Sequence, residues 1–179
     1  MPLPLVVKPA RQGSSVGITI VQSLSELQQA CEEAWRYDQR LIMEEFVRGR
    51  ELTVGILDTR ALPVVEIRTK RGFFDYQAKY TPGESEEIVP APLDRLTTAR
   101  VQDLALRAHQ CLGCRDFSRV DVMLSDRGEL SVLEVNTIPG LTTNSLLPKA
   151  ARAAGLSMQD VCVRMVEMAL SRREAAVAA

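Results

Sequence analysis

Apolar and polar positions alternate most clearly over residues 119–136. Val120, Val122 and Leu124 interleave with Arg119, Asp121 and Met123; after a break, Leu133 and Val135 interleave with Glu134 and Asn136. Period-two alternation in runs rich in Val and Leu predicts two strands. Between them, Ser125-Asp126-Arg127-Gly128 is turn chemistry, with Gly128 available for a positive φ. A two-residue loop at Arg127-Gly128 sets Asp121 opposite Glu134 and Arg119 opposite Asn136. All four then share one face, and Val120, Val122, Leu133 and Val135 point to a core.

The remaining pattern predicts mixed elements. Leu5-Val6-Val7 and residues 18–21 read as strands joined by a Gly/Ser loop over residues 10–17. Ser23-Leu24-Ser25-Glu26 is a capping-box pattern, and Leu27, Ala30, Cys31, Ala34 and Trp35 follow at helical spacing to about Tyr37. Residues 41–47 predict a strand with an acidic exit, and residues 51–67 a strand, turn and strand. Periodicity is lost over residues 68–92, a length typical of lids and binding loops; disorder is the alternative, and the aromatic and basic residues there argue for a contact role. Residues 93–112 predict a helix with Val101, Leu104, Ala105, Ala108 and Leu112 on one face. Ser145 is the expected N-cap of a helix that stops at Gly155. Ser157 opens a last helix with Val161, Cys162, Met165, Met168 and Ala169 buried, and the Ala-rich tail beyond Arg173 is expected to fray.

Composition narrows the class without changing this picture. The chain has 179 residues, 46% hydrophobic and 25% charged, with a net charge of −1, as ordinary globular proteins do. No basic block suggests nucleic acid, no apolar run approaches membrane-spanning length, and the first residues lack a signal-peptide pattern. The expected location is cytoplasmic. Cys111 and Cys114 form a lone C-x-x-C with no second ligand pair, and read as small buried residues at a helix end rather than a zinc or redox pair. His109 reads as a surface residue.

Two stretches carry candidate chemistry. Acids directly opposite each other on a sheet repel, so a face holding Asp121, Glu134 and Asn136 suits a hard divalent cation with oxygen ligands. The alternative is the solvated outer face of a hairpin. Likewise the Gly13-Ser14-Ser15-Val16-Gly17 loop, with Lys8 at the exit of the preceding strand, can lay backbone N–H groups over phosphate oxygens. It is not a Walker A loop, and an ordinary hairpin loop is the alternative.

Val7-Lys8-Pro9…Gly13-Ser14-Ser15-Val16-Gly17, Asp75-Tyr76-Gln77-Ala78-Lys79-Tyr80, Arg119-Val120-Asp121-Val122 and Glu134-Val135-Asn136-Thr137-Ile138-Pro139-Gly140 occur in this order. Together they resemble the C-terminal part of the D-alanine–D-alanine ligase family, ATP-grasp enzymes of peptidoglycan synthesis. The resemblance implies an α+β fold: a partial central ATP-grasp subdomain over residues 1–47, and a C-terminal antiparallel-sheet subdomain with helices over residues 48–179. It implies ATP, two Mg ions (Mn as a substitute) and D-alanine, joined through an acyl phosphate.

The same resemblance implies roles. Lys8 would contact the α- and β-phosphates, with Ser14 and Ser15 in the loop over them. Glu44 would meet the adenine amino group, the backbone of Glu45, Phe46 and Val47 would complete adenine recognition, and Glu51 would hold the ribose. Asp121, Glu134 and Asn136 would bind the metals. Arg119 and the Gly140 N–H would stabilise charge on the phosphoryl group and the oxyanion, and Lys79 would reach the γ-phosphate. Tyr80 matches ligases with an amine nucleophile. Ser145 and Leu146, at a helix start, would hold the carboxylate of the second D-alanine. The family's N-terminal domain has no counterpart in the chain, so the implied partners include a missing N-terminal half or a second copy in a homodimer. A non-catalytic nucleotide-binding module and another ATP-grasp carboxylate–amine ligase are the rival readings.

Overall fold

The structure is a computed structural model and describes residues 1–69 and 85–177. By contact density the chain divides into two units, residues 1–48 with 68–86 and residues 49–67 with 87–179.

The first unit is built on a three-stranded antiparallel sheet. β1 (Leu5–Pro9) lies between β2 (Thr19–Val21) and β3 (Leu41–Glu45). One face packs on α1 (Leu27–Trp35), which follows a 3-10 turn at Leu24–Glu26. Leu5, Val7, Val21, Ala30, Cys31 and Ala34 form this core. Strand alternation sends Lys8 to the opposite face, where Val6 pairs with Glu44 and Lys8 with Ile42. The capping box forms in part: Glu26 accepts from the Gln22 N–H at 2.8 Å, but Ser23 makes no capping bond. Trp35, expected on the buried face, is 56% exposed. It closes a nine-residue helix, whose apolar stripe is already filled by smaller residues.

The second sheet has the order β7-β6-β4-β8-β9, with β5 also on β4. β4 is Gly49–Leu57, β5 Arg60–Ala61, β6 Val65–Thr69, β7 Ser85–Ile88, β8 Phe117–Ser125 and β9 Leu130–Asn136. β7 lies in the stretch expected to be irregular. Its sequence, Ser-Glu-Glu-Ile, is too polar to announce a strand, so pairing with β6 rather than propensity decides it.

Each face of this sheet has its own core. Leu52, Val54, Ile56, Val120, Val122 and Leu124 face α2 (Arg95–Cys111) and meet Val101 and Ala105. Asp94 starts this helix, accepting from the Thr97 N–H at 2.9 Å. On the other face Leu57, Leu62 and Val65 pack with Leu147, Ala150 and Ala151 of α3 (Leu146–Ala153) and Val161 of α4 (Met158–Val177). Full burial of each large side chain contributes about 1.5–3 kcal/mol. Ser157 and Asp160 start α4 with a reciprocal box: the Ser157 N–H donates to Asp160 at 2.8 Å, and the Asp160 N–H to Ser157 Oγ at 3.1 Å.

Several burial expectations fail. Leu112, Cys111, Cys162, Ala169 and Leu133 are exposed. Leu112 caps α2 at its end, and on α4 the contact face is narrower, limited to Val161, Met165 and Met168. His109 corrects the opposite way. It is 5% exposed, and its Nδ1 lies 2.7 Å from the buried Ser118 Oγ. It lies on the buried side of α2, where a polar partner on β8 makes burial affordable. Desolvation disfavours its charged form and lowers its pKa, against a smaller opposing pull from Asp116.

Candidate active site

The hairpin of β8 and β9 reaches the expected pairing by a different route. Leu124 pairs with Leu130, Met123 with Ser131 and Val122 with Val132. The turn therefore holds three residues, Asp126-Arg127-Gly128, rather than two. The Gly128 N–H donates to the Ser125 carbonyl at 2.9 Å, and Gly128 sits at φ 80°. This is a type I turn followed by a left-handed residue. An uninterrupted ladder from there would set Leu133 opposite Asp121. A bulge between Asp121 and Val122 instead inserts Leu133 as the extra residue and restores Asp121 opposite Glu134 and Arg119 opposite Asn136. Leu133, as the bulged residue, is 41% exposed instead of entering the core.

The polar groups then meet on one face. Arg119 Nε donates to Asp121 Oδ1 at 2.9 Å and its Nη2 to Oδ2 at 2.8 Å. Asn136 Nδ2 donates to Glu134 Oε1 at 2.9 Å and to Asp121 Oδ2 at 3.3 Å, bridging the two acids. Arg119 also lies 3.8 Å from Glu134. Burial opposes the Arg119 charge, but the hydrogen bond and attraction from Asp121, with Glu134 and Glu51 further off, outweigh it and raise its pKa above the ordinary arginine value. Asp121 is 7% exposed.

The central strand adds a residue that sequence reasoning missed. Thr53 pairs with Asp121 across β4 and β8. Its Oγ1, buried, donates to Asp121 Oδ1 at 2.6 Å. The one available signal was a lone hydroxyl within the apolar run Leu52–Leu57; that it faces Asp121 depends on long-range pairing, which local pattern does not carry.

At the end of the hairpin the chain turns towards α3. Ser145 occupies its N-cap position with extended backbone, but its side chain makes no capping bond. Instead Ser145 Oγ accepts from the Thr142 N–H at 3.1 Å and lies 2.9 Å from Thr142 Oγ1. A Cβ on Gly140 would come within 2.7 Å of Ser145 Oγ, so Gly140 and Ser145 are brought together as neighbours. Leu146 packs on the Leu147 core.

In the first unit, Lys8 Nζ lies 2.5 Å from Glu44 Oε1. Ser14 and Ser15 both take left-handed backbone, φ 54° and 60°. Such strain in consecutive non-glycine residues is concentrated at ligand clamps. The Phe46 N–H donates to the Pro4 carbonyl at 3.1 Å. Lys79 and Tyr80 lie outside the described residues. Among the described residues no group of three or more His, Cys, Asp and Glu is placed to hold a metal ion, and no helix is long and apolar enough to cross a membrane.

This α+β architecture is that of the ATP-grasp ligases. Residues 1–167 match the family model described as the D-ala D-ala ligase C-terminus, and the chain belongs to that family. A D-alanine–D-alanine ligase of Methylacidiphilum infernorum is 49% identical over 172 residues, 96% of this chain and 57% of that protein. The chain thus spans about half the length of the curated relatives it matches. Crystal structures of the VanG D-Ala:D-Ser ligase from Enterococcus faecalis and of a D-alanine–D-alanine ligase from Bacillus anthracis complexed with ATP are similar, with TM-scores of 0.83 and 0.81 and identities of 37% and 33%. They cover 94% and 96% of this chain, which covers 50% and 54% of theirs.

Proposed function

We propose that the chain supplies the nucleotide, metal and second-substrate groups of an ATP-dependent ligase that joins two D-alanines for peptidoglycan precursors in the cytoplasm. The observation that carries this is Asp121 set opposite Glu134 with Asn136 bridging them. Opposed acids destabilise a sheet unless a cation or donors offset them. The set is all oxygen once the Asn136 amide turns, which fits a hard cation. Asp121, Glu134 and Asn136 would hold two Mg ions, or Mn. When bound, these ions offset triphosphate charge and polarise the transferring phosphoryl group.

The chain's own residues do the rest. Residues 1–47 form the nucleotide-binding part in this reading and residues 48–179 the metal and acceptor part. Lys8 leaves Glu44 for the α- and β-phosphates, which frees Glu44 for the adenine amino group. Ser14 and Ser15 hold the phosphate loop in shape. The backbone of Glu45, Phe46 and Val47 would read adenine, with Phe46 offering its carbonyl since its N–H is bonded to Pro4, and Glu51 would hold the ribose. Arg119 turns from Asp121 to the γ-phosphoryl group as charge develops there. Lys79 joins it, and Tyr80 favours an amine acceptor. The first D-alanine carboxylate attacks the γ-phosphorus of ATP and displaces ADP, giving an acyl phosphate. The amine of the second attacks it, the Gly140 N–H stabilises the oxyanion, and phosphate leaves. Ser145 and Leu146 place the acceptor carboxylate at the helix start.

The test is calorimetry with Mg-ADP beside D-alanine-dependent phosphate release. Binding with release supports the full reading. Binding without release supports a nucleotide-binding module that needs the relatives' N-terminal half or a second copy. Release only with other acceptors, D-serine among them, would replace D-alanine as the second substrate.

A further inference from the structure

We propose that Thr53 is a positioning residue for the metal carboxylate of Asp121, an inference that rests on reading Asp121 as a metal ligand. Among the described residues Asp121 has three donors: Arg119, Asn136 and Thr53. The first two have work elsewhere when ligands bind. Arg119 turns to the phosphoryl group, and Asn136 must present its amide oxygen instead of its N–H. Both contacts with Asp121 then weaken together, at the moment when its geometry matters most.

Thr53 has no such second task. It is 1% exposed on β4, the strand bonded to β8 along its full length. Its β-branched side chain is stiff about χ1. The hydroxyl has one proton and two acceptors in range, Asp121 Oδ1 at 2.6 Å and the Val120 carbonyl at 3.4 Å. The shorter contact, to an anion, takes the proton. Thr53 therefore fixes Oδ1 and would keep the carboxylate oriented for a metal. Groups that orient a ligand from behind typically change metal affinity by about 10- to 100-fold when removed.

The experiment is a Mn²⁺ titration of the chain with ADP, read by electron paramagnetic resonance, for wild type, Thr53→Val, Thr53→Ala, Thr53→Ser and Asp121→Asn. Circular dichroism checks folding, and Thr53→Ala gives the same reading if Thr53→Val does not fold. The expected result is weakening of about 10- to 100-fold in the Val and Ala variants, with most affinity retained in Thr53→Ser. Wild-type affinity in Val and Ala, with loss only in Asp121→Asn, would overturn the role of Thr53 and leave the metal site standing. Equal loss in Thr53→Ser would also overturn it, since packing of the methyl group rather than the hydroxyl would then matter. No Mn²⁺ binding by wild type would remove the metal reading and this inference with it.

Discussion

Arg119 and Asp121, two residues apart on one strand, face the same way and close a two-bond fork at 2.9 and 2.8 Å. Their side chains are 19% and 10% exposed. Truncating one partner strands the other charge, which costs about 3–5 kcal/mol for a fully buried pair. For this partly exposed pair Arg119→Ala is expected to cost about 2 kcal/mol in urea unfolding. Arg119→Lys cannot reproduce the planar fork and should recover only part of it.

Glu134 should separate stability from function. Its side chain is 56% exposed, so Glu134→Gln should change unfolding stability by no more than about 0.5 kcal/mol. The same variant should abolish Mg-dependent nucleotide binding in calorimetry. Retained Mg-ADP affinity would remove Glu134 from the metal site.

His109 should make stability depend on pH. Its folded pKa lies below the ordinary histidine value, so the unfolded chain takes up its proton first as pH falls. The contribution is complete above the unfolded value, about 6.5, and is lost as pH falls through the folded value. Urea midpoints from pH 8 downwards should show this loss. His109→Gln, which cannot titrate, should flatten that part of the curve.

Gly49 opens β4 at φ 153°, and a Cβ there would sit 2.0 Å from the Leu124 carbonyl oxygen. Gly49→Ala must move the start of β4 off β8. The expected loss exceeds about 1 kcal/mol, measured as a lower thermal midpoint.

Leu147 holds α3 to the sheet and is 1% exposed. Leu147→Ala should cost about 2–5 kcal/mol. Ser145 is the N-cap of the same helix, so under the proposed role of Ser145 acceptor binding should weaken along with stability.

Strand and helix types were mostly legible, because alternation and helical spacing are local. The facing of Asp121 and Glu134 was legible too, but through two offsetting departures, one extra residue in the turn and one in the bulge. Neither leaves a mark in the pattern around Leu133. His109 was misread although Ala105, one turn earlier on α2, is buried, because its polar partner Ser118 is on another element. Thr53 was missed for the same reason, since its role exists only once β4 lies beside β8. What local pattern lacks in each case is which strand or helix comes alongside.

The bulge at Leu133 divides the β8–β9 ladder into two stretches of different register. Register at the acids is held from β4 through Asp121, while register at the tip is set by Ser125 and Glu129. The tip, Asp126-Arg127-Gly128, is solvent-exposed. It is therefore a natural insertion point for a fluorescent label or affinity tag that leaves the metal-facing carboxylates in alignment.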